Sequence, residues 1–350
     1  MTNNTITIIP FDDIEGAYHR ISPYHQRTPL LTSPLLNKKL GREIYIKPES
    51  LQKTGAFKFR GALNKILSDE AKGVKNIVAY SSGNHGQAVA AVSAILGLQA
   101  DIIMPSDAPL IKQNLTRNWG AKIHLYDRVN ESREEIGKKI AAQKKSLLIP
   151  PYDDIGVITG QGTIGYEILE DCEKLNINDA SIILPCGGGG LCAGVASAIK
   201  GKRPNFNIFI AEPDNGYDDV LRSLKSGKRE KITKQSPHIC DAIVTPSPGL
   251  ITFPIIKNLV SGGSAVSQQD VFMGIAILFK YFKIVAEPGG VAAFASVMKS
   301  LLFNNSSGKD AQKTSGPIIV VISGGNIDPA LFAEILQKTD IDEIEKNAKI

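Results

Sequence analysis

The chain has little that would place it in a membrane or outside a cell. No stretch approaches the ~18 apolar residues a membrane helix needs, although hydrophobic residues make up 43% of its 350. The N-terminus, MTNNTITIIPFDDIEGAYHR, lacks a basic region followed by a long apolar core, so no signal peptide is read. Cysteine is scarce: Cys172, Cys186, Cys192 and Cys240 show no CxxC or CxxH spacing. That argues against a metal cluster or disulfide framework and for reduced, buried thiols in a cytoplasmic protein. Charge of one sign is scarce too. The net charge is +5, and the one dense basic run, GKREKITK at 227–234, has no interleaved aromatic residues, so nucleic acid is not an expected partner.

Internal repeats and low-complexity linkers are also absent. What is present is an alternation of short apolar runs with helical segments, the pattern of parallel α/β layers. NIVAYSS (76–82), ADIIMP (100–105), KIHLYD (122–127), SIILPC (181–186), NIFIAE (207–212) and PIIVVISGG (317–325) read as strands, and HGQAVAAVSAILG (85–97) and GLCAGVASAIKG (190–201) as helices. A β-α-β-α-β run over 76–127 is followed by LLIPPYDD (147–154), where two prolines break the pattern. The expected organisation is two open-sheet α/β domains, a smaller one at 71–151 inserted in a larger one formed by 1–70 and 152–345.

Between one strand and the next helix stand four consecutive glycines, Gly187, Gly188, Gly189 and Gly190, followed by Leu191. Bare backbone there lets N–H groups crowd an anion at the positive end of a helix. A plain tight turn would need only one glycine. Which phosphate is bound stays open from this segment. Gly188, Gly190 and Ala193 satisfy G-x-G-x-x-A, and the next strand ends in Glu212, where a dinucleotide fold keeps its ribose-binding acid. An NAD-dependent dehydrogenase is therefore the rival of a different class.

TGAFKFRGALNK (54–65) sets Lys58 between Phe57 and Phe59. Desolvation by the two rings would lower the lysine pKa and leave free amine to attack an aldehyde. The plainer alternative is a surface lysine with a buried stem. Taken with a phosphate cradle elsewhere, the residues favour a Schiff base to pyridoxal phosphate. SSGNHGQAVAA (81–91) supplies a third element, with Gly83 and Gly86 allowing close approach. Asn84 could bond a ring hydroxyl, while Ser81 and exposed helix N–H groups could take a substrate carboxylate. Simple helix capping would use the same residues.

TGAFKFRGALNK, SSGNHGQA, GQGTI (160–164), PCGGGGL (185–191), AEPDNGYDD (211–219), AEPGG (286–290) and VISGGN (321–326) come in the order found in fold type II pyridoxal-phosphate enzymes. The chain resembles the serine racemase and serine/threonine dehydratase branch of these tryptophan synthase β-like proteins, over about residues 10–330. The resemblance implies that 1–70 and 152–345 bind the cofactor and that 71–151 binds substrate. It implies that Lys58 carries the Schiff base and handles the α-proton, with Phe57 beside it. Asn84 would bond the ring hydroxyl, Gly187 to Gly190 with Leu191 would hold the phosphate, and Ser323 would face the pyridine nitrogen. Ser82 would serve as acid or base on the opposite face. Ser81, Ser82, Asn84, His85 and Arg133 would contact substrate. Glu212 then changes meaning: with the Gly216 carbonyl and Asp218 it would ligate Mg²⁺ or Mn²⁺, hard ions suited by such oxygens.

The implied reaction is loss of water from a β-hydroxy amino acid, with L-threonine or L-serine leading, to give a 2-oxo acid and ammonia. A hydroxyl at Ser323 cannot hold a full pyridinium as a carboxylate would, which disfavours transamination. Ser82 keeps serine racemase as an alternative. Tyr80, where serine racemases tend to carry histidine, and TPSPG (245–249) depart from that branch. They leave room for 3-hydroxyaspartate, whose second carboxylate Arg133 could bind. The resemblance also implies a homodimer.

Overall fold

The computed structural model describes residues 7–81, 83–108, 110–233, 238–303 and 316–348. Ser82, the expected second-face acid or base, lies outside them.

Among the described residues ten strands form two sheets. In chain order they are β1 (Leu31–Thr32), β2 (Ile44–Pro48), β3 (Asn76–Tyr80), β4 (Gln99–Pro105), β5 (Lys122–Tyr126), β6 (Leu147–Ile149), β7 (Ser181–Pro185), β8 (Asn207–Pro213), β9 (Gly262–Val266) and β10 (Ile318–Ile322). The larger sheet runs β1-β2-β10-β7-β8-β9 and the smaller β5-β4-β3-β6. All pairings are parallel except β1 with β2. The smaller sheet thus lies in the chain between β2 and β7, an insertion in an α/β protein.

β7 and β10 are buried at every position, as central strands of a parallel sheet covered on both faces must be. Their side chains alternate between two cores. Ile182, Leu184, Ile319 and Val321 face the helices Ile155–Lys174 and Gly190–Lys202. Ile183, Ile318, Val320 and Ile322 face the helices Gln268–Phe282 and Pro288–Phe303. A third core joins β3 and β4 to the helix Lys58–Ile66 through Phe59, Ala62, Leu63 and Ile66. The helix that bears Lys58 is therefore seated under the smaller sheet although it precedes that sheet in sequence.

One expectation is corrected here. LLIPPYDD reads as a break, yet Leu147–Ile149 forms β6 and pairs with β3. The prolines follow the strand, and Pro150, lacking an N–H, ends its ladder. The two aspartates that follow each start a helix. Asp154 accepts the Val157 N–H (2.9 Å) at the head of Ile155–Lys174, and Asp153 accepts those of Leu250 and Ile251 (both 2.8 Å) before Thr252–Leu259.

Beneath the Lys58 helix lies a buried ionic network. The Arg60 guanidinium donates to Glu49 (2.7 and 2.8 Å) and to Glu167 (2.7 and 2.9 Å), and Glu167 also takes Lys47 Nζ (2.7 Å) and His25 Nε2 (2.9 Å). All four side chains of the Arg60, Lys47, Glu49 and Glu167 set are fully buried. It ties the Lys58 helix to β2 and to the long helix behind it.

Candidate active site

Lys58 is positioned by a seam between distant parts of the chain. Phe57 N–H donates to the Ser323 carbonyl (3.0 Å), Gly325 N–H donates to the Gly55 carbonyl (2.8 Å), and Ala56 bridges Gly324 in antiparallel register. TGAF and SGGN, recognised separately in the sequence, are thus hydrogen-bonded to each other. Lys58 projects from this seam into a pocket of about 440 Å³, within the range of small-molecule sites.

The pocket brings together Phe57, Lys58, Ser81, Asn84, His85, Arg133, the four glycines, Leu191 and Ser323. Lys58 Nζ donates to the Pro151 carbonyl (2.7 Å) and lies 4.9 Å from the centre of the Phe57 ring. Its surroundings desolvate the amine and pull its pKa down to about 8, although the negative charge of Glu287 opposes the shift. Phe59 takes no part. Successive helix residues point about 100° apart, and Phe59 is buried in the core beneath the smaller sheet. Only Phe57 of the two flanking rings serves the role expected of both.

The glycine loop is shaped for an anion. A Cβ on Gly187 would lie 2.6 Å from the Ile243 carbonyl, and one on Gly188 would lie 2.5 Å from the Tyr152 ring. Gly189 has φ 94°, a left-handed conformation that favours glycine. It caps the helix Gly190–Lys202 with no side-chain bond to the first turn, whose N–H groups have no partner within the helix. A bare, concave backbone at a helix N-terminus is what a phosphate needs.

The substrate side is cationic and phenolic. The Arg133 guanidinium sits 5.3 Å from the centre of the Tyr80 ring and its Nε donates to Glu134 (2.9 Å). Tyr152 packs against the glycines and feels the Arg133 charge; burial pushes its hydroxyl up to about 12, so it stays neutral. His85 is buried, and its Nε2 lies 3.0 Å from the Ile149 carbonyl, which fixes the proton on that nitrogen. Burial, reinforced by the Lys58 charge, holds its pKa at about 3, so the ring is neutral and offers no cation to a carboxylate. Ser81 Oγ accepts the Gly83 N–H (3.1 Å) at the head of the helix Asn84–Ile95.

Among the lining residues that sequence reasoning missed are Tyr152, Glu287, Lys112 and Asp241. The signals for the first two were there, in PPYDD and AEPGG. Lys112 and Asp241 form an ion pair across the pocket mouth, one from each side, and nothing local marks either.

An amine beside a bare helix N-terminus, with hydroxyl and amide groups around it, is an arrangement suited to an enzyme that binds a phosphorylated aldehyde. Comparison with known proteins agrees. A family model described as pyridoxal-phosphate dependent enzyme matches residues 21–324. The L-threo-3-hydroxyaspartate ammonia-lyase of Saccharomyces cerevisiae is 39% identical over 332 residues, 94% of this chain and 97% of that one. The serine racemase of Dictyostelium discoideum is 38% identical over 330 residues, 94% and 98% of the two chains. Among solved structures, maize serine racemase superposes with a TM-score of 0.85 at 33% identity, covering 95% of this chain and 98% of that one. The chain belongs to the family of pyridoxal-phosphate-dependent enzymes, in the serine racemase and serine/threonine dehydratase branch of fold type II.

The dinucleotide alternative falls with this. Glu212 is fully buried, and its two carboxylate oxygens accept the N–H groups of Val220 (3.0 Å) and Leu221 (2.6 Å), so it cannot reach a ribose. The expected metal ligands lie outside the pocket lining. Asp218 pairs with Arg222 (3.2 Å) and the Gly216 carbonyl accepts the Thr233 N–H (2.9 Å). Among the described residues no group of three histidine, cysteine or acidic side chains is arranged around a metal position. One observation fits a cation there: the buried Oδ2 of Asp219 has no hydrogen-bond partner, and the Asp219 charge acts on Glu212. Burial, with Asp219 adding, pushes the Glu212 carboxyl well above its usual range, the direction a nearby cation would reverse.

Proposed function

We propose that the protein eliminates water from a β-hydroxy α-amino acid, L-threonine or L-serine, to yield a 2-oxo acid and ammonia. The observation that carries this reading is the placement of a partly deprotonated Lys58 amine in the same pocket as the glycine cradle. When bound, pyridoxal phosphate supplies the electron sink that makes an α-proton removable. The amides of Gly187 to Gly190 would anchor its phosphate, with Phe57 and Tyr152 walling the site. Lys58, once its amine is free, takes the proton from the α-carbon. The β-hydroxyl then leaves with a proton as water, and water returned at the hydrolysis of the enamine product releases ammonia, so the net change is loss of ammonia. Ser323 would face the ring nitrogen with a neutral hydroxyl, which would not hold a full positive charge there. Ser81 and the first N–H groups of Asn84–Ile95 would receive the α-carboxylate, a role His85 could share only through its backbone.

A second substrate reading rests on Arg133, whose guanidinium lines the pocket beside the Tyr80 ring and could take a second carboxylate; one relative is an L-threo-3-hydroxyaspartate ammonia-lyase. Racemisation of serine would need Ser82 on the far face. We also infer Mg²⁺ or Mn²⁺ at Glu212, Gly216 and Asp218, and a homodimer, which a native mass measurement would test. An ammonia and 2-oxo acid assay with L-threonine, L-serine, D-serine and the 3-hydroxyaspartate isomers tests the whole reading. Cofactor-loaded protein that releases ammonia from none of them would sink it, and retention of pure L-serine would count against the racemase.

A further inference from the structure

Glu287 has no role in the chemistry described so far, yet it is 3% exposed, lines the pocket and accepts a hydrogen bond from Asn84 Nδ2. The other end of the Asn84 amide is also occupied. Asn84 Oδ1 accepts from Asn326 Nδ2 (2.8 Å), and the same Asn326 amino group donates to the Thr54 carbonyl (2.8 Å).

The direction of this chain of bonds is fixed at its backbone end. A carbonyl only accepts, so Asn326 must turn its amino group to Thr54 and therefore to Asn84. Asn84 must then present its oxygen to Asn326 and its amino group to Glu287. One N–H of that amino group goes to Glu287 and the second is left for an acceptor in the pocket. Gly324 makes the arrangement possible, since a Cβ there would collide with Glu287 Oε1 and crowd Asn84 Nδ2 to 3.2 Å.

We infer that Glu287 is a positioning residue: with the Asn84 carboxamide turned by Asn326, Glu287 anchors its amino end so that the second N–H meets an oxygen of the bound cofactor. The inference rests on the proposed function only for the identity of the bound molecule. Lys58, Lys112, Asp241 and Cys240 face Glu287 from the neighbouring elements. Burial, with the Asp241 charge adding, raises its carboxyl pKa to about 7, against the pull of Lys112, Asn84 and Lys58. In either protonation state it keeps an oxygen able to accept the Asn84 N–H.

The experiment is a double-mutant cycle on full-length protein, read as the dissociation constant of pyridoxal phosphate from its visible absorbance and separately from the lyase assay. Glu287→Ala should weaken binding by about 10-fold, the scale of one hydrogen bond to an ionisable partner. Glu287→Gln, which keeps the acceptor and the volume, should restore binding to within about 3-fold of the parent on the same scale. Asn84→Ala with Glu287→Ala should bind no more weakly than Asn84→Ala alone. Additive losses in the double variant, or Glu287→Gln as weak as Glu287→Ala, overturn the inference. Should Glu287→Ala fail to fold, Glu287→Leu, which keeps the bulk but offers no acceptor, takes its place in the same cycle with Asn84→Ala, with additivity again the overturning result. Normal cofactor binding with no turnover would instead point to a failure of the substrate reading.

Discussion

The Lys58 amine should make uptake of pyridoxal phosphate depend on pH in a way an ordinary lysine would not. Only the neutral amine attacks an aldehyde, so the rate follows the neutral fraction. With the pKa lowered from 10.5 to about 8, roughly 10% of the amine is neutral at pH 7, against about 0.03% for an unperturbed lysine. The gain is on the order of a few hundredfold, or about 3 kcal/mol. The sign is set by burial, which disfavours the ammonium, while Glu287 works in the opposite direction. In a stopped-flow absorbance experiment, cofactor-free protein mixed with pyridoxal phosphate should react tenfold faster per pH unit up to about 8 and then level off. Lys58→Ala should give no covalent colour at any pH. A rate still climbing tenfold per unit from pH 8 to 10 would show an ordinary lysine and refute the reasoning.

Gly187→Ala would press a methyl group to 2.6 Å of the Ile243 carbonyl, a backbone atom with little freedom to move. A loss of about 1–3 kcal/mol in stability, with a lower ratio of visible to protein absorbance, is the expected outcome; a variant that melts and colours like the parent would contradict the cradle geometry. Arg60→Met leaves Glu49 and Glu167 buried without their shared cation, and should cost about 3–5 kcal/mol, read as a lower Tm. Burial raises the Glu167 carboxyl, but Arg60, His25 and Lys47 outweigh it and hold it far below the usual 4.5. Its stabilising share is therefore complete above about 4.5 and is lost as pH falls further, so Arg60→Met should flatten the acid limb of a Tm-versus-pH curve. Mg²⁺ or Mn²⁺ at 100 times its dissociation constant should stabilise the protein by about 2.7 kcal/mol over chelator. Identical melting in the two would remove the metal from Glu212, Gly216 and Asp218.

The strands that carry the site were legible because parallel strands buried on both faces are written as uninterrupted apolar runs, as in SIILP and IIVVI. Leu147–Ile149 is hidden by the prolines behind it, and Gly262–Val266 by two glycines in an edge strand that is only partly buried. At the site, residues within one short motif are legible together: Gly187 to Gly190, Ser81 with Asn84, and Phe57 with Lys58. Glu287, Tyr152, Lys112 and Asp241 reach the pocket from four separate segments, and only the tertiary fold makes them neighbours. Phe59 misleads because adjacency in sequence is not adjacency in space: a helix sends consecutive side chains to different walls.

The seam that seats Lys58 has a consequence for how the protein comes into being. Gly55, Ala56 and Phe57 are held by Gly325, Gly324 and Ser323, more than 260 residues further along the sequence. Chains emerge from the ribosome N-terminus first and fold domain by domain as they do so. The smaller sheet and the Lys58 helix packed beneath it can therefore assemble early, but the turn leading into the lysine is not pinned until the chain has been made as far as Gly325. A nascent or truncated chain would carry a reactive sequence without a reactive site, and aldehyde capture by Lys58 becomes a property of the assembled molecule alone.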